Sequence, residues 1–241
     1  MRDYANELKL RAAFIKSLLA STGASGVVLG LSGGKDSVLA GILCRQATDN
    51  VIGVIMPCGS QRNYGSDRAD ALEFAALYGI KAVEADLTPA RDALAAQIQK
   101  SVPISGANLA NLAPRLRMAT LYAFAAETGC LVAGTGNRSE IHMGYFTKWG
   151  DGAHDFNPIS DLTASEVYEF LRYLKVPSHL AEKPPSAGLY DGQTDEQDMG
   201  VSYEELDGFL LTGKRGGNYD KIERAHNSTA HKRSPIVRYN P

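Results

Sequence analysis

Eight consecutive residues, Gly30-Leu31-Ser32-Gly33-Gly34-Lys35-Asp36-Ser37, carry the strongest chemical signal in the 241-residue chain. Adjacent glycines let a backbone fold tightly and bring its N–H groups against an anion. Ser32 and Ser37 add hydroxyl donors, and a helix opening here adds its positive end. A plain Gly-Gly turn joining a strand to a helix is the alternative on the glycines alone. A Walker A loop is excluded, because Gly34-Lys35 is followed by Asp36 and Leu29 stands where the first glycine belongs. Asp36 is the informative residue. A carboxylate ~4 Å from a phosphate charge is repelled by about 1 kcal/mol in water and about 4 at an effective dielectric near 20. That juxtaposition calls for a cation between the two, and Mg²⁺ on one or two carboxylates plus phosphate oxygens is the usual one.

Other segments are weaker by themselves. Gly134-Thr135-Gly136-Asn137-Arg138-Ser139-Glu140 misses GxGxxG by its last residue and comes late in the chain. Its local alternative is a capping box from Asn137 to Glu140. Lys148 and Asp155 place one cation and one anion around a glycine-rich turn, 144–155. Lys183-Pro184-Pro185-Ser186 and Gly192-Gln193-Thr194-Asp195-Glu196 lie in a loop over about 182–200. His231-Lys232-Arg233 reads locally as a solvated basic tail.

The elements that must position these residues alternate. Residues 4–20 are amphipathic and stop near Gly23, which predicts a helix. Val27-Val28-Leu29-Gly30-Leu31, Val51-Ile52-Gly53-Val54-Ile55, 80–84 and 130–133 predict four short strands. Helices are expected over 36–47, over 66–78 with Ser66 as cap, and after a Thr88 cap with Pro89 at the first helical position. A long Leu/Ala/Met-rich helix is expected over 108–127. Its apolar residues run round most of its circumference, so it should be largely buried. Thr163-Ala164-Ser165-Glu166 and Ser202-Tyr203-Glu204-Glu205 have the capping-box spacing. This alternation predicts an α/β fold, a parallel twisted sheet with helices on both faces.

Composition bounds the rest. A chain of this length makes one ordinary α/β domain, here 1–241, without disulfides or a structural metal. Lys and Arg number 25 against 27 Asp and Glu, a net charge of −2. That balance argues against nucleic acid or an anionic membrane as partner. No run approaches the ~18 apolar residues of a membrane span, and the N-terminus has no secretory pattern. Cys44, Cys58 and Cys130 form no metal-ligand spacing and fit reduced thiols in a cytoplasm.

The loop SGGKDS after a strand resembles the pyrophosphate loop of the ATP pyrophosphatases. The segments 144–155, 183–189 and 192–196, in that order, resemble NH₃-dependent NAD synthetases within that superfamily, over about 25–233 of the chain. The resemblance implies the adenine-nucleotide alpha-hydrolase-like (PP-loop) fold. It also implies ATP-dependent amidation of deamido-NAD by ammonia through an acyl-adenylate, with Mg²⁺ as cofactor and ATP as co-substrate. By position, Gly30, Leu31, Ser32, Gly33, Gly34, Lys35, Asp36, Ser37, Thr135 and Ser186 would contact ATP. Asp36 and Glu140 would hold the metal, the latter in place of capping. Arg115, Lys148, Asp155, His231 and Lys232 would bind deamido-NAD. Arg115 is preferred to Arg117, which faces elsewhere on a helix. A homodimer is implied. The loop 182–200, where Pro184, Pro185, Gly188 and Gly192 disfavour regular structure and Ser186 is assigned to ATP, is expected to be mobile without ligands and ordered with them, closing over the reactive intermediate to keep water out.

Two positions depart from the family pattern. The family often has lysine where Ala164 stands, and an apolar residue or Gln where Lys35 stands. Either Lys35 supplies positive charge to the phosphates from the other side of the site, or it points into solvent. Other adenylating members of the superfamily and a nucleotide-binding sensor without turnover are the competing classes; the presence of both Asp36 and Glu140 argues against the sensor. Free ammonia is the expected nitrogen donor, since none of the three cysteines sits in a recognisable nucleophile context.

Overall fold

The computed structural model describes residues 2–183, 192 and 194–239. In chain order these form α1 (Tyr4–Thr22), β1 (Gly26–Gly30), α2 (Lys35–Ala47), β2 (Val51–Ile55), α3 (Gln61–Tyr64), α4 (Ser66–Tyr78) and β3 (Lys81–Glu84). There follow α5 (Thr88–Gln99), α6 (Gly106–Ala110), α7 (Leu112–Thr128), β4 (Cys130–Val132) and α8 (Arg138–Met143). The C-terminal third is helical: α9 (Ala164–Tyr173), α10 (Ser178–Ala181), α11 (Asp195–Met199), α12 (Tyr203–Thr212), α13 (Tyr219–Ser228) and α14 (Ala230–Arg233). The predicted Ser186 contact, and most of the loop around it, lie outside the described residues.

The four strands pair in parallel in the order β3-β2-β1-β4. Side chains on a strand alternate between faces, and the core divides accordingly. Val27, Leu29, Val51 and Ile55 pack with α1, α2, α4 and α9 through Ile15, Leu39, Phe74 and Val167. Val28, Ile52, Val54 and Val132 pack on the opposite face against Ala113, Ala125 and Leu116 of α7. A third cluster, which includes Met143, Ala164, Tyr203, Leu206 and Ile222, joins α8, α9, α12 and α13 beyond the sheet. Composition and periodicity did not announce this cluster.

From β1 the chain moves to β2 on one side and returns to β4 on the other. The loops leaving β1 and β4 therefore diverge at the carboxyl edge, and a crevice opens between them. This topology places the segment 30–37 beside 133–140.

The expected helix over 108–127 is two helices. The chain turns at Asn111, and Pro114 stands near the start of α7, where its missing N–H costs nothing. Nor is α7 largely buried: only Ala113, Pro114 and Ala125 are, while Leu112, Leu116, Leu121 and Phe124 are half-covered. One sheet face cannot cover a helix that is apolar all round. Ser66 and Thr88 are the first residues of their helices rather than the caps, a shift of one position. Cys44, Cys58 and Cys130 are free and buried.

Candidate active site

The crevice is a cavity of about 800 Å³ whose wall takes in the ends of β1, β2 and β4 and the starts of α2, α7 and α8. Gly30, Leu31, Ser32, Gly34, Lys35, Asp36 and Ser37 line one side. Gly33 stands behind them at φ 71°, a left-handed conformation suited to glycine. A Cβ there would meet the Asp67 carbonyl oxygen at 2.6 Å, so the loop also needs glycine for its approach to α4. The loop holds its own shape: Gly34 N donates to Ser32 Oγ (3.2 Å), Ser37 Oγ to the Gly34 carbonyl (2.9 Å), and the two hydroxyls lie 3.1 Å apart. Among the described residues no side chain caps the N-terminus of α2, a 13-residue helix whose positive end faces the cavity.

Gly134, Thr135, Gly136 and Glu140 line the facing side. Asn137 and Glu140 do form the capping box, with Asn137 N donating to Glu140 Oε2 at 3.0 Å and Glu140 N to Asn137 Oδ1 at 3.0 Å. The sequence presents capping and metal ligation as alternatives for Glu140; one carboxylate has lone pairs enough for both. The fully buried Asn137 also donates through Nδ2 to Asp36 Oδ1 at 3.1 Å, tying α8 to α2.

Lys35 does not reach into solvent. Its side chain is 2% exposed, and Nζ lies 2.5 Å from Asp36 Oδ2. Burial works against its charge, but Asp36 and then Glu140 hold the ammonium above its ordinary pKa. Burial and repulsion from Asp36 push the Glu140 carboxyl well above the carboxylate range, with Lys35 opposing. Asp195 of α11, buried and also on the cavity wall, is raised by burial. Asp36, Glu140 and Asp195 all line the cavity and offer oxygen donors only, the kind a hard cation such as Mg²⁺ takes, while among the described residues no three such groups are gathered into a ready-made cation site. Ala164, where a family lysine was expected, is the fully buried first residue of α9 and donates its N–H to Ser139 Oγ at 3.1 Å.

The residues assigned to the second substrate are less assembled. Lys232 lines the cavity, its Nζ bonded to the carbonyls of Gly144 (2.7 Å) and Phe146 (2.6 Å). Lys148 lies outside the wall, donating to the His231 carbonyl at 2.6 Å; the His231 side chain is exposed. Asp155 joins β4 to α7, accepting from Val132 N (2.7 Å) and Tyr122 OH (3.1 Å). Arg115 is exposed, with one long bond of 3.4 Å to the Asn111 carbonyl, and lies outside the cavity wall.

Arg117, passed over in the sequence, lines the cavity instead. It donates to the Met56 carbonyl (3.1 Å) and Asn63 Oδ1 (3.0 Å), and burial lowers its pKa. Lys183, in the sequence the first residue of Lys183-Pro184-Pro185-Ser186, is also in the wall, pairing with Asp67 (2.6 Å) and Asp70 (2.5 Å) of α4. Helical spacing could have flagged Arg117: it is four residues before Leu121, on the inward side of α7, whereas Arg115 is not.

A sequence model of the NAD synthase family matches residues 7–239. An NH(3)-dependent NAD(+) synthetase of Carboxydothermus hydrogenoformans is 44% identical over 214 residues, 87% of each chain. The solved structure of an NMN synthetase from Francisella tularensis superimposes with a TM-score of 0.93 at 36% identity, covering both chains completely. An NH3-dependent NAD synthetase from Campylobacter jejuni, also fully covered, gives 0.80 at 29% identity.

Proposed function

The chain belongs to the NAD synthase family, an enzyme family of the PP-loop fold, and on that premise we propose that it amidates deamido-NAD with ammonia at the expense of ATP. The observation that carries this reading is the convergence of the loop 30–37, with Asp36, and of Thr135 and Glu140 on one cavity at the crossing point of the sheet.

The N-terminus of α2 and the N–H groups of the glycine loop receive the triphosphate. Ser32 and Ser37 orient it through their hydroxyls. A carboxylate oxygen of the nicotinate then bonds to the α-phosphorus as the bond to the β-phosphate oxygen breaks, and pyrophosphate leaves. Ammonia attacks the acyl carbon, AMP departs, and a proton is lost from nitrogen. No side-chain nucleophile takes part, so the protein acts by positioning and by stabilising charge. Asp36 and Glu140 would hold Mg²⁺, which when bound supplies positive charge to the phosphates and the leaving group. Arg117 and Lys232 donate to uncharged oxygens, with the Asp151 carboxyl acting on both from nearby, and in this reading their charge meets the substrates' anionic groups. Arg115, Lys148, Asp155 and His231 belong to the dinucleotide in this reading, Arg115 from a position that a second subunit would complete. Ser186 would contact ATP. The chain works as a homodimer in the cytoplasm, with free ammonia as nitrogen donor.

A second reading changes only the acceptor. The close superposition on an NMN synthetase favours the corresponding mononucleotide, which needs no pocket for a second nucleotide. Incubation with ATP, Mg²⁺ and ammonium, and with each acceptor in turn, separates the readings. NAD with AMP from deamido-NAD at the higher kcat/KM supports the first. NMN formed at the higher kcat/KM supports the second. No AMP from either acceptor overturns both.

A further inference from the structure

Lysine in a phosphate-binding loop ordinarily reaches outward to an anion. Lys35 is folded back. Its Nζ contacts Asp36 Oδ2 and lies 5.5 Å from the ring centroids of both Tyr168 on α9 and Tyr203 on α12. A carboxylate and two aromatic faces, from three elements, enclose the ammonium and exclude water from it. The Tyr203 hydroxyl in turn donates to Asp195 Oδ2 at 3.0 Å, which brings a second carboxylate to the edge of the same nest. Glu140 acts on the ammonium from α8. Both oxygens of Asp36 have protein partners, Asn137 on Oδ1 and Lys35 on Oδ2.

We propose that Lys35 is a resident counter-cation of the nucleotide site, which holds Asp36 and screens Glu140 and Asp195 while the site is empty, so that a divalent ion enters with ATP rather than before it. This rests on the reading that Asp36 and Glu140 take the ion. A free divalent ion must compete for Asp36 with an ammonium already seated and repels it at short range. ATP changes the balance by adding several negative charges that an ammonium and a divalent ion can share. The lysine thereby keeps three carboxylates from repelling one another in the empty enzyme.

The test is binding of Mn²⁺, followed by electron paramagnetic resonance, to the wild type, Lys35→Gln and Lys35→Arg. Each is titrated with and without the α,β-methylene analogue of ATP. Wild type and Lys35→Arg should bind Mn²⁺ weakly alone and more tightly with the analogue. Lys35→Gln should bind Mn²⁺ alone at least about tenfold more tightly than the wild type, since one unit charge a few ångströms away is removed. Equal Mn²⁺ affinity of wild type and Lys35→Gln without nucleotide, with normal binding in its presence, overturns the proposal alone. No Mn²⁺ binding by the wild type even with the analogue overturns the metal reading as well. Should Lys35→Gln not fold, the wild type decides: affinities equal with and without the analogue refute the idea.

Discussion

Two arginines two residues apart on α7 have different fates because each helical step turns the side chain by about 100°. Arg115 projects to solvent and Arg117 projects beneath the end of β2, where it meets the Met56 carbonyl and Asn63. A guanidinium that is half-buried against neutral oxygens keeps its charge for a substrate anion. Replacing Arg117 by Met should therefore lower kcat/KM by about ten- to a hundredfold, the equivalent of one charge-assisted bond of about 1.5–3 kcal/mol. Steady-state kinetics with ATP and acceptor each varied checks this. An Arg117→Met enzyme that melts like the wild type with unchanged kcat/KM would assign Arg117 to the wall and not to the substrate.

Among the elements, α9 shows how a local signal supports the site. Its N-terminus has the complete capping box, Thr163 N to Glu166 Oε2 at 2.9 Å and Glu166 N to Thr163 Oγ1 at 3.3 Å. The same helix brings Tyr168 over Lys35. Ser202 caps α12 through Glu205 N, but the Glu205 carboxylate is spent on Asn218, so the second predicted box closes by half. Thr163→Ala should cost about 1 kcal/mol, up to about 2, seen as a lower urea midpoint at constant slope. Ser202→Ala should cost less, because its helix end is exposed to water. A Thr163→Ala protein with an unchanged midpoint would show that Glu166 alone, held by Arg2 at 2.7 Å, secures this helix start.

At the scale of the molecule, the feature left over is the outer side of α7. Leu112 is only half-covered and Arg115, Ala119 and Ala123 are exposed along this side, away from Leu116, Leu121 and Phe124, which pack toward the sheet. A second subunit packing there would cover apolar area and bring Arg115 toward a neighbouring site. Sedimentation at micromolar concentration should give twice the chain mass. An active monomer at that concentration would count against both the interface and the role given to Arg115.

Much was legible in the sequence because it depends on short spacings. The four parallel strands, the glycine loop opening α2, and the pairing of caps at 163 and 166 are set by neighbours within a few residues. The break at Asn111 is hidden in the sequence by an apolar run that continues across a one-residue turn, although Pro114 is compatible with a helix starting just before it. What only the tertiary structure decided is where side chains at equal sequence distance point. Lys35 turned inward because Tyr168 and Tyr203, 133 and 168 residues on, come together around it. Arg117 displaced Arg115 from the cavity because α7 packs on the sheet by one side. Glu140 kept its cap and still faces the crevice because Asn137 joins it to Asp36 across 101 residues of chain. Spacing determines local geometry; the direction of a charge is set by whichever distant groups share its low-dielectric surroundings, and that is a property of the packed molecule.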